Sequence, residues 1–157
     1  MENKGAVNAL LDIYKNAILD FKTCIATIKN EDLIKTIDFQ TTDDNCKSIQ
    51  NIIAHVVNSG FSYATSIYNS KGNNQEKPPK KFHIDIALYH QDLDEMFSFT
   101  DFVFEQIQDN DLEECNDLNK IKTGWQQSYD IEQLMEHAIV HILRHQRQIN
   151  TLKKRLN

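Results

Sequence analysis

Residues 86–107, IALYHQDLDEMFSFTDFVFEQI, decide the fold. The residues of one stripe recur at steps of three and four, the period of an α-helix with a single buried face; they are Ile86, Tyr89, Leu93, Met96, Phe97, Thr100, Val103, Phe104 and Ile107. Neither glycine nor proline interrupts the stretch. We therefore expect a helix of about six turns that buries its stripe against other helices.

Three other segments carry the same period. A first helix is predicted over about residues 6–30, a second over about residues 48–67, and a last one over about residues 130–155. Polar connections separate them, and the whole chain holds only four glycines and two prolines. Four amphipathic helices predict an all-α fold, a four-helix bundle, in one domain over residues 1–157.

Two of these helices have recognisable start signals. Ser48 is a predicted N-cap, and Asp130 with Gln133 forms a predicted capping box. Residues 110–129 show no sustained period. The alternation of apolar residues over positions 82–86 resembles a short strand, but a single strand would have nothing to pair with.

The composition excludes several classes of protein. The net charge is −6, and the basic residues are scattered apart from a run at 153–155, so we expect no nucleic-acid partner. No segment approaches the ~20 apolar residues of a membrane span. The cysteines Cys24, Cys46 and Cys115 are odd in number and widely spaced, which excludes a disulfide framework and fits a reducing compartment. We expect a cytoplasmic protein.

Several catalytic patterns are also absent. Di-iron bundles need Glu-x-x-His, and zinc proteases need His-Glu-x-x-His; neither occurs here. No activating base is evident for a cysteine nucleophile. Histidine is the remaining residue type that could form a functional site. Three of the six histidines lie four residues apart in the last predicted helix, in EHAIVHILRHQRQI at 136–149.

His141 and His145 are related as i and i+4, so they share one helix face with Cβ atoms ~5–6 Å apart. Both imidazoles can then reach one metal ion at ~2.0–2.1 Å. Catalytic sites usually have three protein ligands and an open position, so a third ligand must be found. His83, His90 and His137 are candidates, but His55 in the second predicted helix is the best placed. The alternative is that these histidines hold no ion.

Two motifs resemble those of the DinB family, also called DinB/YfiT-like metal-dependent enzymes. They are SIQNIIAHV at 48–56 and HAIVHILRHQRQI at 137–149. The resemblance implies a four-helix bundle, often a homodimer, with a nickel or zinc ion held by one histidine of the second helix and two of the last. The matching ligands are His55, His141 and His145.

One supporting residue follows from the resemblance and another from its position on the last helix. Gln148 matches a glutamine common in the family, where it would support a ligand as hydrogen-bond donor or acceptor. His137 is expected to lie in the pocket or beside a ligand. The chain differs from many members at Gln146 and Arg147, where they have Arg-Gly.

Two functions fit such a site. In the first, the ion lowers the pKa of a bound water or thiol, and the protein is a hydrolase or a thiol S-transferase acting on a small-molecule substrate. Thiol transfer with a low-molecular-weight thiol is favoured because no carboxylate general base is evident. In the second, the protein is a non-catalytic metal-binding or stress-response bundle, with His137 or Glu136 closing the coordination shell. Imidazole suits zinc, nickel, copper and iron alike.

Overall fold

The computed structural model describes residues 5–156, and helices dominate it, which confirms the predicted all-α class. In chain order the helices are α1 (Gly5–Ile25), α2 (Asn30–Leu33), α3 (Ile49–Ser70), α4 (Ile86–Phe104) and α5 (Ile131–Lys153). Two-residue strands, β1 (Ile121–Lys122) and β2 (Ser128–Tyr129), pair antiparallel as a small hairpin. Short 3-10 turns lie at Asp44–Cys46 and Asp109–Asp111.

The four long helices pack in a ring around one apolar core. Helix α3 packs against α4 and α5, and α1 packs against α5 and α4. The largest fully buried side chains include Tyr14, Phe21, Tyr89, Met96 and Phe104. No helix within residues 5–156 is long and apolar enough to cross a membrane.

The backbone of α3 comes close to its neighbours at Gly60. A Cβ atom placed there would lie 2.0 Å from Met96 Sδ and 3.0 Å from Tyr14 Oη. Glycine is therefore required for this close approach between α3, α4 and α1. Without it, the three helices would have to separate or Met96 would have to move.

The predicted caps of α3 and α5 are confirmed. The Ser48 hydroxyl accepts a hydrogen bond from the backbone N–H of Asn51 at 3.1 Å. At the start of α5, the Asp130 carboxylate accepts from the Gln133 N–H at 2.8 Å, and the Gln133 side chain accepts from the Asp130 N–H at 3.1 Å. These caps fix the residues at which the two histidine-bearing helices begin.

The first helix is shorter than predicted. It ends at Ile25 instead of about residue 30, although the apolar Ile28 is still buried by the turn that follows. The Lys153 ammonium donates to the Cys24 carbonyl at 3.0 Å and to Thr27 Oγ1 at 2.8 Å. A cation from the last turn of α5 thus satisfies a carbonyl at the end of α1. Helix α4 also stops early, at Phe104.

The aperiodic stretch 110–129 contains the hairpin, which the sequence did not predict. Its strands are too short to show an alternating pattern, and Gln126 at its tip has a positive φ of 65°. The alternation over 82–86 forms no strand: Phe82 and Ile84 are exposed, and Ile86 begins α4.

Candidate metal centre

Three imidazoles from two helices converge at one point. His141 Nε2 lies 3.0 Å from His55 Nε2 and 3.1 Å from His145 Nε2. His55 comes from α3 and the other two from adjacent turns of α5, so the packing of these helices creates the site. We call these three residues the histidine cluster. The structure thus brings together the three residues that the sequence proposed as ligands.

Gln148 contacts the cluster from the following turn of α5. His145 Nδ1 lies 2.9 Å from Gln148 Oε1. An amide oxygen can only accept a hydrogen bond, so Nδ1 of the neutral His145 carries the proton. The Nε2 atom of His145 therefore has a lone pair directed at the cluster.

This protonation leaves the cluster short of hydrogen bonds. A proton between His145 and His141 must come from His141 Nε2, which then has no lone pair to accept from His55. If His55 Nε2 instead donates its proton to His141 Nε2, the unprotonated Nε2 atoms of His141 and His145 face each other across 3.1 Å with no proton between them. No arrangement of protons on neutral rings satisfies both contacts. A cation at the centre would satisfy all three nitrogens at once.

Two of the three separations between the nitrogens also fit one ion. Ligand atoms at ~2.0–2.1 Å from a tetrahedral centre lie ~3.3 Å apart, close to the two observed separations. All three ligand atoms lie within 4.8 Å of one another, and no other His, Cys, Asp or Glu among the described residues joins the group. The donor set is therefore three neutral nitrogens, which suits zinc, nickel, copper or iron.

Burial keeps the imidazoles neutral. Burial and the neighbouring positive charges lower the pKa of His55 to about 4 and that of His141 to about 3. Burial likewise lowers the pKa of His145, which is 4% exposed, against the opposing effect of its Gln148 hydrogen bond. A histidine must be neutral to bind a metal ion. At neutral pH the cluster is thus in its ligating form.

A cavity of about 340 Å³ opens onto the cluster. Besides the three histidines, residues from the 43–46 turn, α3, the hairpin and α5 line it: Asp43, Cys46, Asn58, Ser59, Ser62, Tyr63, Trp125, His137 and Arg144. The sequence pointed to none of these except His137. Arg144 could have been found, because it follows His141 by three residues and so shares its helix face.

One side of the cavity is aromatic. The Trp125 ring stacks on His137 with centroids 5.0 Å apart and planes 23° apart, and His137 lies parallel to His141 at 6.2 Å. Tyr63, which also lines the cavity, and Tyr129, which lies outside the lining, contact His137 at 5.5 and 5.8 Å. We call Tyr63, Trp125, Tyr129 and His137 the aromatic wall. His137 is therefore a pocket residue outside the group of converging ligand atoms.

The other side of the cavity carries Asp43 and Cys46. The Asp43 carboxylate accepts from the Asn45 N–H at 2.9 Å and lies 3.5 Å from the Cys46 Sγ. The hydrogen bond to the Asn45 backbone lowers the pKa of Asp43, which makes its carboxylate a weak base. Burial raises the pKa of the Cys46 thiol, so this cysteine is not an activated nucleophile.

The remaining candidate histidines lie elsewhere. His83 Nε2 is 2.7 Å from Asp92 Oδ2, a hydrogen bond between the linker and α4, and His83 does not line the cavity. His90 is on α4 and also lies outside the cavity lining. Comparison with protein-family models, curated proteins and solved structures found no match for this chain. Its function is therefore inferred from the site itself.

Proposed function

We propose that this chain is a DinB-like four-helix-bundle protein that binds one divalent transition-metal ion through His55, His141 and His145. We propose further that it is a cytoplasmic homodimeric enzyme that uses the ion on a small-molecule substrate, as a thiol S-transferase or a hydrolase. The convergence of three Nε2 atoms at the floor of a cavity carries the proposal. Nickel and zinc are the proposed ions.

An ion bound there would act as a Lewis acid and lower the pKa of a water or thiol in the cavity. The chain's own residues prepare the site for this. Burial keeps the imidazoles neutral, Gln148 fixes the tautomer of His145, and the aromatic wall covers His141 on one side. These contacts orient the nitrogens before any ion enters.

Thiol transfer is favoured over hydrolysis because the cavity offers no efficient carboxylate base. Asp43 is the acidic residue of the lining, and its oxygens are engaged by Asn45 and Cys46. A thiol ionises more readily than water, so it depends less on a general base. A non-catalytic metal-binding protein is the alternative. The observation against it is that neither His137 nor Glu136 joins the converging ligand atoms to close the site.

Metal analysis tests the binding. Protein purified without an affinity tag should contain close to one equivalent of transition metal. His55→Ala should lose it, whereas the matched control His90→Ala, a partly buried histidine outside the cavity, should keep it. Added zinc should stabilise the metal-free wild type by about 2.7 kcal/mol at 100 times Kd, and should not stabilise His55→Ala.

Substoichiometric metal in the wild type, together with an unchanged zinc response in His55→Ala, would refute the site. If metal is bound, low-molecular-weight thiols are then tested against electrophilic substrates. Transfer that depends on His55 supports the enzyme, and no turnover in this screen supports the non-catalytic alternative.

A further inference from the structure

Arg144 is a charged residue of the cavity lining that the proposed metal binding does not use. It precedes His145 and follows His141 by three residues, so it lies on the ligand face of α5. Its charge acts on all three imidazoles of the histidine cluster. Among residues 5–156, no ion pair or hydrogen bond engages its guanidinium. A cation therefore borders the cluster without a carboxylate paired to it.

One negative charge lies in the cavity lining. It belongs to Asp43, whose carboxylate acts on His55 and His145 but makes its hydrogen bonds within its own turn. Lys80 adds a second positive charge, since its ammonium donates to Asn45 and acts on His55. An ion held by the cluster would add two more positive charges. The cavity would then favour an anionic ligand.

The groups that line the cavity and its volume indicate what kind of anion it would bind. A guanidinium presents parallel N–H donors that match two oxygens of a carboxylate or a phosphate. The carboxylate is the smaller of the two groups and leaves more of the cavity for the rest of the ligand. The aromatic wall lies on the same side of α5 as His141 and offers apolar contact to the rest of a small molecule. A volume of about 340 Å³ limits that molecule to a small metabolite.

We propose that the cavity binds a small ligand with a carboxylate, and that Arg144 pairs with this carboxylate and so determines specificity. This inference rests on the proposed metal binding, because the ligand's second anchor is the ion on the histidine cluster. For the favoured thiol-transfer activity, it makes the thiol substrate a carboxylate-bearing one. Arg144 is thus a substrate-binding residue, distinct from the metal ligands.

The test uses the full chain loaded with cobalt, whose absorption changes when a thiol binds. The probes are 3-mercaptopropionate and its neutral amide, 3-mercaptopropanamide. Arg144→Gln should lower the preference for the acid over the amide by about tenfold, the size of one exposed charge-assisted contact. Cobalt content and amide binding should not change. The two thiols differ in acidity, but this difference is the same for both proteins. It therefore cancels when the acid-to-amide affinity ratio of the variant is compared with that of the wild type.

Arg147→Gln is the matched control, because Arg147 is exposed on the same helix outside the cavity lining. The preference of this variant for the acid over the amide should equal that of the wild type. A second measurement reverses the charge of the probe: the affinity of the cationic, non-chelating thiol 2-(trimethylammonio)ethanethiol relative to the neutral amide should rise in Arg144→Gln. An Arg144→Gln protein in which neither the anionic nor the cationic thiol changes its affinity relative to the amide would overturn the inference. Cobalt binding without any thiol binding would overturn it too and leave the metal site standing, whereas no cobalt binding would refute both.

Discussion

Gln148 offers a sharp test of how the protein prepares its metal site. Its amide oxygen accepts the Nδ1 proton of His145 at 2.9 Å, and His145 is almost fully buried. Replacing Gln148 with alanine leaves that N–H without its partner and frees the ring to adopt the other tautomer. In that tautomer Nε2 carries the proton and cannot bind an ion.

The size of the effect follows from the burial of this hydrogen bond. An unsatisfied buried donor costs ~1–3 kcal/mol, which corresponds to a loss of roughly 5- to 150-fold in affinity. Comparable contacts to metal-binding histidines contribute about 10- to 100-fold. We therefore expect Gln148→Ala to raise the Kd for zinc by one to two orders of magnitude. Gln148→Glu should retain or improve affinity, because a carboxylate also accepts from Nδ1.

The assay is competition for zinc with a chromophoric chelator at constant pH. Gln146→Ala is the matched control: it lies on the same helix and makes no hydrogen bond to the cluster, so its Kd should equal that of the wild type. Circular dichroism verifies that each variant is folded. A folded Gln148→Ala protein with wild-type affinity would show that His145 is oriented by packing alone, contrary to our reasoning.

Three further predictions concern the metal-free protein and the pocket. The pKa values of His55 and His141, about 4 and about 3, lie below the ~6.5 of an unfolded histidine. The unfolded chain therefore takes up more protons between these values, and urea denaturation should show stability falling by roughly 2 kcal/mol for each histidine, roughly 4 kcal/mol together, between pH 7 and 5; a flat profile would contradict the burial of these rings. Trp125 is the single tryptophan, and its stacking on His137 predicts that nickel quenches the protein's fluorescence while zinc does not; no quenching by bound nickel would place the hairpin elsewhere. Gly60→Ala should destabilise the fold by about 1–3 kcal/mol, measured by chemical denaturation, because its Cβ would collide with Met96; unchanged stability would show that the helices are less tightly packed.

The sequence predicted most of what depends on helical period. The four long helices, the Ser48 cap and the Asp130 capping box follow from local patterns and are confirmed. The pairing of His141 with His145 needed only their spacing, whereas selecting His55 needed knowledge of which helices pack together. The sequence allowed a preference for His55 over the other candidate histidines. Only the tertiary structure shows that the three Nε2 atoms meet.

What the sequence could not predict depends on contacts between distant segments. The end of α1 at Ile25 is set with help from Lys153, 129 residues away from Cys24 along the chain. Periodicity continued through Ile28, so no local pattern marked that boundary. The hairpin places Trp125 beside His137, although two-residue strands give no alternating signal. Asp43 lines the cavity from an irregular turn, and such a turn leaves no periodic pattern in the sequence.

The contact between His55 and His141 joins two points 86 residues apart in the chain. An ion shared by these residues would therefore act as a reversible cross-link between distant segments, and it would have to dissociate before those segments could separate. Since α5 also holds the end of α1 through Lys153, this cross-link would connect the middle, the end and the beginning of the chain. Metal availability would then control the cooperativity of unfolding as well as the chemistry of the cavity.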